Sequence, residues 1–416
     1  MPAPPRASCA GGQSSRRSAS SSPAAHHGST GGSTPPRSRP IAAATSGGCG
    51  GSSSSATERV YWRLPAMPIA GEAMAGFRSL AATLAAAVLV PAAASAGGGS
   101  AASWAQPQIK LVIRDGLFSA TPATFDGSGQ LTRGALADAI ARLTATAAPP
   151  AADPAMPVTM GELDSALVDA LGLHDAAARF EAAAAGAGLD PPAQFGTEVA
   201  ARLLGLRLDH PAAQDALELQ PEQPATRAEA AYSLARILQL GTNPAASAAV
   251  AQTGRAALGF ELPAMTEWQR RIVSTAVSYT GYPYVWGGTG TSTSTGSGSA
   301  GFDCSGFVWA VYKLTPYPDE GTLADTLRGR TTMQMSAEVP RSERIGSDAL
   351  EPGDVMFFGR GPRSKPQQIT HVAIYLGNGW LIQSSVYGVA LAPYSSWYRS
   401  SFAWARRPLA EAGLAQ

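Results

Sequence analysis

The sequence predicts an α+β chain: an all-α module, then a domain in which a cysteine-bearing helix packs on an antiparallel sheet. Three observations carry this. Between about Pro107 and Leu240, Ala and Leu recur at helical spacing behind Thr-initiated caps. Further on, residues 355–358, 371–376 and 380–383 are short apolar runs, and Gly377-Asn378-Gly379 is a hairpin turn joining the last two. Between these regions, Cys304-Ser305-Gly306 opens an apolar run through Phe307, Val308, Val311 and Tyr312, with Asp303 at the N-cap position.

Composition bounds the function. The chain has 416 residues, room for two or three domains, and its 31 Lys and Arg nearly balance 30 Asp and Glu. Nothing here favours nucleic acid or an electrostatic membrane partner. Residues 1–73 read as a low-complexity extension of Ser, Gly, Pro, Ala and Arg, or as an upstream misreading of the start codon. Residues 74–96 read as a signal peptide: a positive n-region from Met74 to Arg78, an apolar stretch over 80–90, then Ala94-Ser95-Ala96. The expectation is a secreted, wall-associated protein. The apolar stretch is short for a membrane span, and no cysteine directly follows the cleavage site, so no stable membrane anchor is expected. Cys9 and Cys49 fall in the leader, which leaves Cys304 alone in the mature chain with no partner for a structural disulfide. With no His-x-x-x-His pair and no second cysteine beside it, neither a metal nor a cofactor is expected.

The expected order after the signal is an α-helical module over 97–240, a Gly/Ala/Pro/Ser-leaning linker over 241–263 and a catalytic domain over 264–410. In the module, Leu131-Thr132-Arg133, Val158-Thr159-Met160 and Ala225-Thr226-Arg227 each lead into a helix. The Thr spacings are uneven, 27 and 67 residues. Thr159 with Glu162, and Thr226 with Glu229, have the form of capping boxes. Well-capped helices in a small bundle account for this without any ligand. Thr-Arg-x-Glu before such a helix also resembles the S-layer homology module, which implies attachment to a secondary cell-wall polymer.

A lone thiol is either a small buried hydrophobe or a nucleophile. At a helix N-terminus, unsatisfied N–H groups and the dipole favour the thiolate, which points to the nucleophile. A nucleophile needs a base, and the base needs a group that fixes its tautomer. His371 and Gln383 fall on strands joined by the hairpin, so both can reach one edge of the sheet; His174 and His210 sit in the helical region. Cys304, His371 and Gln383 are therefore the candidate nucleophile, base and orienting amide. Asp303 is on its own a cap, and Asp354 in Pro352-Gly353-Asp354 a structural turn residue.

Tyr284-Val285-Trp286-Gly287-Gly288, Asp303-Cys304-Ser305-Gly306, Pro352-Gly353-Asp354 and His371-Val372-Ala373-Ile374-Tyr375-Leu376-Gly377-Asn378-Gly379, with Gln383 twelve residues beyond the histidine, follow one another in order. Together they resemble the NlpC-type (NlpC/P60) family of papain-like cell-wall endopeptidases. The resemblance implies a papain-like fold and cleavage of peptidoglycan stem peptides, commonly between D-γ-glutamyl and a diamino acid. It gives Cys304, His371 and Gln383 the triad roles, although the third position is most often His in the family. It places Tyr284, Asp303 and Ser305 along the substrate site. The Ser/Thr/Gly loop over 289–300 is longer than the family's usual one. Trp380, Trp397, Tyr398 and Trp404 are expected in the core and groove wall rather than in a sugar-stacking platform. Two rival readings are a thiol amidase or acyltransferase acting on another amide or ester, and a catalytically silent wall-binding protein.

Overall fold

The computed structural model describes residues 103–147, 151–208, 219–290 and 300–415. The leader, the signal peptide expected at 74–96, His210 and most of the loop before Cys304 lie outside them.

Among the described residues, six helices build the N-terminal module: α1 Gln106–Arg114, α2 Arg133–Thr144, α3 Met160–Ala170, α4 His174–Gly186, α5 Phe195–Leu203 and α6 Arg227–Leu238. Thr132, Thr159 and Thr226 are the N-caps of α2, α3 and α6, and each hydroxyl accepts from the backbone N–H three residues on. Each such cap is worth about 1 kcal/mol. The full capping box forms at Thr159. At Thr226 the hydroxyl half forms, and Glu229 is buried in the module. The residues just before these caps interlock. Leu131 N–H donates to Ala225 O (2.8 Å), Ala225 N–H to Val158 O (2.8 Å) and Val158 N–H to Leu131 O (3.0 Å). A second round repeats the pattern: Arg133 N–H to Met156 O, Met160 N–H to Gln223 O, and Arg227 N–H to Gly129 O, each at 2.9 Å. The three Thr segments thus close a pseudo-three-fold ring, whatever their separation in sequence. Beside it, Arg207 pairs with Asp164 at 2.7 Å and donates to Met160 O, all three residues being buried.

The stretch read as a linker carries a helix, α7 Ala248–Leu258, capped by Ser247 and packed on α4. This corrects the reading of its composition. Alanine is common in unstructured segments but is also the best helix former, and Val250, Thr253 and Ala257 give α7 a buried face.

The C-terminal region starts with α8 Glu267–Ser278, which opens on a Thr266–Gln269 capping box. Next come β1 Thr289–Gly290, β2 Gly301–Phe302, α9 Cys304–Trp309, α10 Leu323–Thr326, α11 Thr332–Ala337, β3 Val355–Phe358, β4 His371–Gly377, β5 Trp380–Ser385, β6 Gly388–Pro393, α12 Ser396–Ser401, β7 Phe402–Arg406 and α13 Pro408–Glu411. β3 to β7 form one antiparallel sheet in the order β6-β5-β4-β3-β7. The β4–β5 turn has positive φ at both Asn378 (48°) and Gly379 (78°), the requirement of the tight turn that Asn-Gly signals. Val372, Ile374 and Ile382 join the helices in the main core, while Phe358, Ala373 and Leu381 pack under Tyr394, Tyr398 and Phe402 on the other face.

The module is fastened to this sheet. Phe180 of α4, Phe260 after α7 and Trp380 of β5 meet with ring centroids 4.9–5.9 Å apart. Arg202 of α5, buried and paired with Glu198, donates to the carbonyls of Gly281 (2.9 Å) and Tyr387. Among the described residues, no helix is long and apolar enough to cross a membrane.

Candidate active site

Cys304 is the first residue of α9, and its position is set by Asp303. The Asp303 backbone is extended (φ −81°, ψ 174°), and Oδ1 accepts from Gly306 N–H at 2.5 Å and from Ser305 Oγ at 3.0 Å. Oδ2 accepts from Gly287 N–H at 2.9 Å. One carboxylate therefore caps the cysteine helix and holds the Tyr284–Gly288 segment against it. The backbone does the same: Asp303 N–H donates to Gly288 O (3.2 Å), and Tyr284 bridges to Phe302.

Arg330, not singled out from the sequence, completes this knot. It pairs with Asp303 at 3.2 Å and donates to Ser305 Oγ (2.8 Å), Gly287 O (3.2 Å) and Gly288 O (3.1 Å). The only local clue is that it directly precedes Thr331, the N-cap of a formed capping box with Gln334. That fixes the helix start but not which way the guanidinium turns.

His371 opens β4 and Gln383 lies on β5. Ile374 pairs with Ile382, so odd-numbered residues 371 to 375 share a face with 381 to 385, and the His371 and Gln383 side chains meet. Nε2 of His371 donates to Gln383 Oε1, and Gln383 Nε2 donates to the Tyr398 hydroxyl. This leaves Nδ1 with its lone pair and fixes the amide from behind. Tyr398 was expected as core or groove wall; it is buried, but its hydroxyl also orients Gln383. The His371 ring is flanked by Phe358 and Trp397, at 5.9 and 6.1 Å between centroids. Ser384, next to Gln383, donates to Phe302 O at 2.7 Å and ties β5 to the segment entering α9.

The expected thiolate does not form at rest. Burial pushes the Cys304 thiol up to about 12, and the Asp303 carboxylate adds to the rise. Backbone N–H groups of Ser305, Val372 and Cys304 at the sulfur favour the anion but are outweighed. Val372 follows His371, so this contact puts the sulfur beside the start of β4. Burial also lowers His371 to about 4, against a smaller opposing effect of the Gln383 bond. The resting pair is therefore neutral thiol and neutral imidazole. Burial holds the Tyr398 phenol above its ordinary range, so it too is neutral.

The structure thus brings together Tyr284, Asp303, Cys304 and Ser305 at the head of α9, and His371 with Gln383 on the adjoining strands. His174 lies apart, exposed on α4 beside Asp169.

This region is similar to known proteins. It is 31% identical over 133 residues to the bifunctional muramidase/DL-endopeptidase CwlT of Bacillus subtilis, a match covering 32% of this chain and 34% of that one. It is 28% identical over 127 residues to a gamma-D-glutamyl-L-lysine dipeptidyl-peptidase of Bacillus subtilis, covering 29% and 33%. A crystal structure of an NlpC/P60 family protein from Bacillus cereus aligns at 25% identity over 36% of this chain and 42% of that one, with a TM-score of 0.27. The chain spans about a third of the length of the curated relatives it matches. Residues 281–407 match the NlpC/P60 family, and the C-terminal part of this chain is an NlpC/P60 domain.

Proposed function

We propose that the chain is a secreted cysteine endopeptidase that hydrolyses amide bonds in peptidoglycan stem peptides, at the D-γ-glutamyl–diamino acid bond, through Cys304, His371 and Gln383. The observation that carries this reading is a buried histidine, held by an amide and a tyrosine, at the strand edge where the Cys304 helix begins. Relatives named as a DL-endopeptidase and a gamma-D-glutamyl-L-lysine peptidase support the substrate class.

Because thiol and imidazole are both neutral at rest, His371 acts as a general base during attack. The Cys304 sulfur bonds to the substrate carbonyl carbon while its proton passes to Nδ1. Backbone N–H groups at the head of α9 stabilise the oxyanion. The amide C–N bond then breaks as the amine takes that proton, leaving a thioester. Water attacks the thioester, gives a proton to His371, and a carboxylic acid leaves as the thiol is restored. Gln383 orients the imidazole without adding charge. Tyr284, Asp303 and Ser305 line the substrate site on this reading.

The pH dependence follows. His371 is a base only when unprotonated, and its lowered value keeps it so down to about 4. The kcat/KM for a stem-peptide substrate is expected to stay level from neutral pH down to about 5 and to fall as pH drops through about 4, with no inflection near the ordinary histidine value of about 6.5. A single acid limb centred near that ordinary value would sink the buried-base account.

A second reading concerns the module. The three-fold ring of capped Thr segments favours attachment to a secondary cell-wall polymer. Both readings are tested on purified peptidoglycan with the secreted chain. Mass analysis should show fragments split within the stem peptide, and the protein should co-sediment with sacculi and be released when secondary polymers are stripped. Intact stems with retained sedimentation would leave a wall-binding protein. Products cut at another amide or ester would leave an amidase or acyltransferase.

A further inference from the structure

A cavity of about 290 Å³ lies where the helical module meets the β5–β6 edge of the sheet. Tyr232, Arg236 and Gln239 line it from the helical side, and Gln383, Ser385 and Tyr398 from the sheet side. It shares Gln383 and Tyr398 with the proposed triad, but Cys304, His371, Tyr284, Asp303 and Ser305 are not among its walls, so it lies on the far side of Gln383 from the sulfur.

Its charge balance is the telling feature. Among the described residues, no Asp or Glu lines it. Of the two cations among its described lining residues, Arg202 is already satisfied by Glu198 at 3.1 Å and by backbone carbonyls. The other, Arg236, is half-buried and held from one side only: Nε donates to Leu204 O at 3.0 Å. The guanidinium lies close against Gly205, which has φ +71° and where a Cβ would come within 3.3 Å of Nε. No hydrogen bond or ion pair among the described residues engages its two terminal nitrogens. A guanidinium withdrawn from water with part of its fork unpaired gains from an anion, and its planar donors match a carboxylate.

A second group points the same way. Ser385 is 6% exposed, and its Oγ accepts from Tyr387 N–H at 3.3 Å, which leaves its own hydrogen without an acceptor among the described residues. Leu391 and Trp397 supply apolar wall. The volume is at the small end of ligand cavities, suited to one or two peptide residues and too small for a glycan strand.

We propose that this cavity is a second binding site, which takes the carboxylate end of a short peptide with Arg236 as its anion partner. Amide hydrolysis leaves a carboxylate on one fragment, so the ligand class matches the product class. That last identification rests on the proposed function; the binding does not.

The test is calorimetric titration of the secreted chain with acetyl-alanyl-alanine, its C-terminal amide and inorganic phosphate. The free acid should bind about tenfold or more tightly than either of the others. Arg236→Gln should lose about tenfold in affinity for the acid. Since Arg236 also holds Leu204 O, Ala392→Phe serves as a second variant: it fills the cavity from β6, leaves the guanidinium in place, and should lose binding as well. Cys304→Ala should bind like wild type, so a chain that fails to cut peptidoglycan can still pass. Equal affinity for acid and amide, equal affinity for phosphate, wild-type binding by both cavity variants, or loss of binding in Cys304→Ala would each overturn the assignment.

Discussion

Replacing Cys304 by Ala is expected to lower stem-peptide hydrolysis by about 10⁴-fold or more while leaving the fold and wall association intact. The side chain is small and at the head of a helix, so its loss costs little packing. Cys304→Ser should be nearly as inactive, and this is the more informative variant. A hydroxyl is far harder to deprotonate than a thiol, and burial makes His371, at about 4, a weak base. The measurement is release of amino groups from purified peptidoglycan, with circular dichroism as the folding control. Substantial activity in Cys304→Ala would remove the thiol from the mechanism.

The next largest effect is expected from Gly306→Ala. A Cβ at Gly306 would lie 1.8 Å from Gly288 O and 2.7 Å from an Arg330 nitrogen, so the head of α9 and the Gly287–Gly288 loop must part by an ångström or more. Such a shift moves the sulfur away from His371 and breaks the Asp303–Arg330 knot. Misplacement of about 1 Å costs on the order of 10²-fold in rate. The expected result is a fall of that size in kcat/KM together with a lower melting temperature, because Phe307 and Val308, next in α9, belong to the main core. Wild-type kinetics would show that the loop yields without disturbing the site.

That glycine also shows where sequence reasoning reaches and where it stops. The Asp-Cys-Ser-Gly run announces a capped helix, and the Asn-Gly turn puts His371 and Gln383 on neighbouring strands, because both signals are local. Arg330 and the part played by the Tyr398 hydroxyl were not legible because they depend on chain segments 27 and 15 residues away. The thiolate expectation failed for a related reason: helix position is legible in sequence, but the burial that outweighs it is not. The uneven Thr spacing concealed the ring, since the ring is made by the residues before the caps and is indifferent to what runs between them. The helix at 248–258 was hidden by alanine, which signals both order and its absence.

The ring of backbone bonds has a consequence for the order of folding. Leu131, Val158 and Ala225 each donate to one neighbour and accept from the other, so no two of them complete the set. As an exported chain emerges N-terminus first, the module cannot close until Ala225 has emerged, but it can close before any strand of the main sheet has emerged. Phe180 then waits on a finished surface for Trp380 of β5. The helical module is positioned to act as an internal template, offering the sheet that carries His371 and Gln383 a wall to form against.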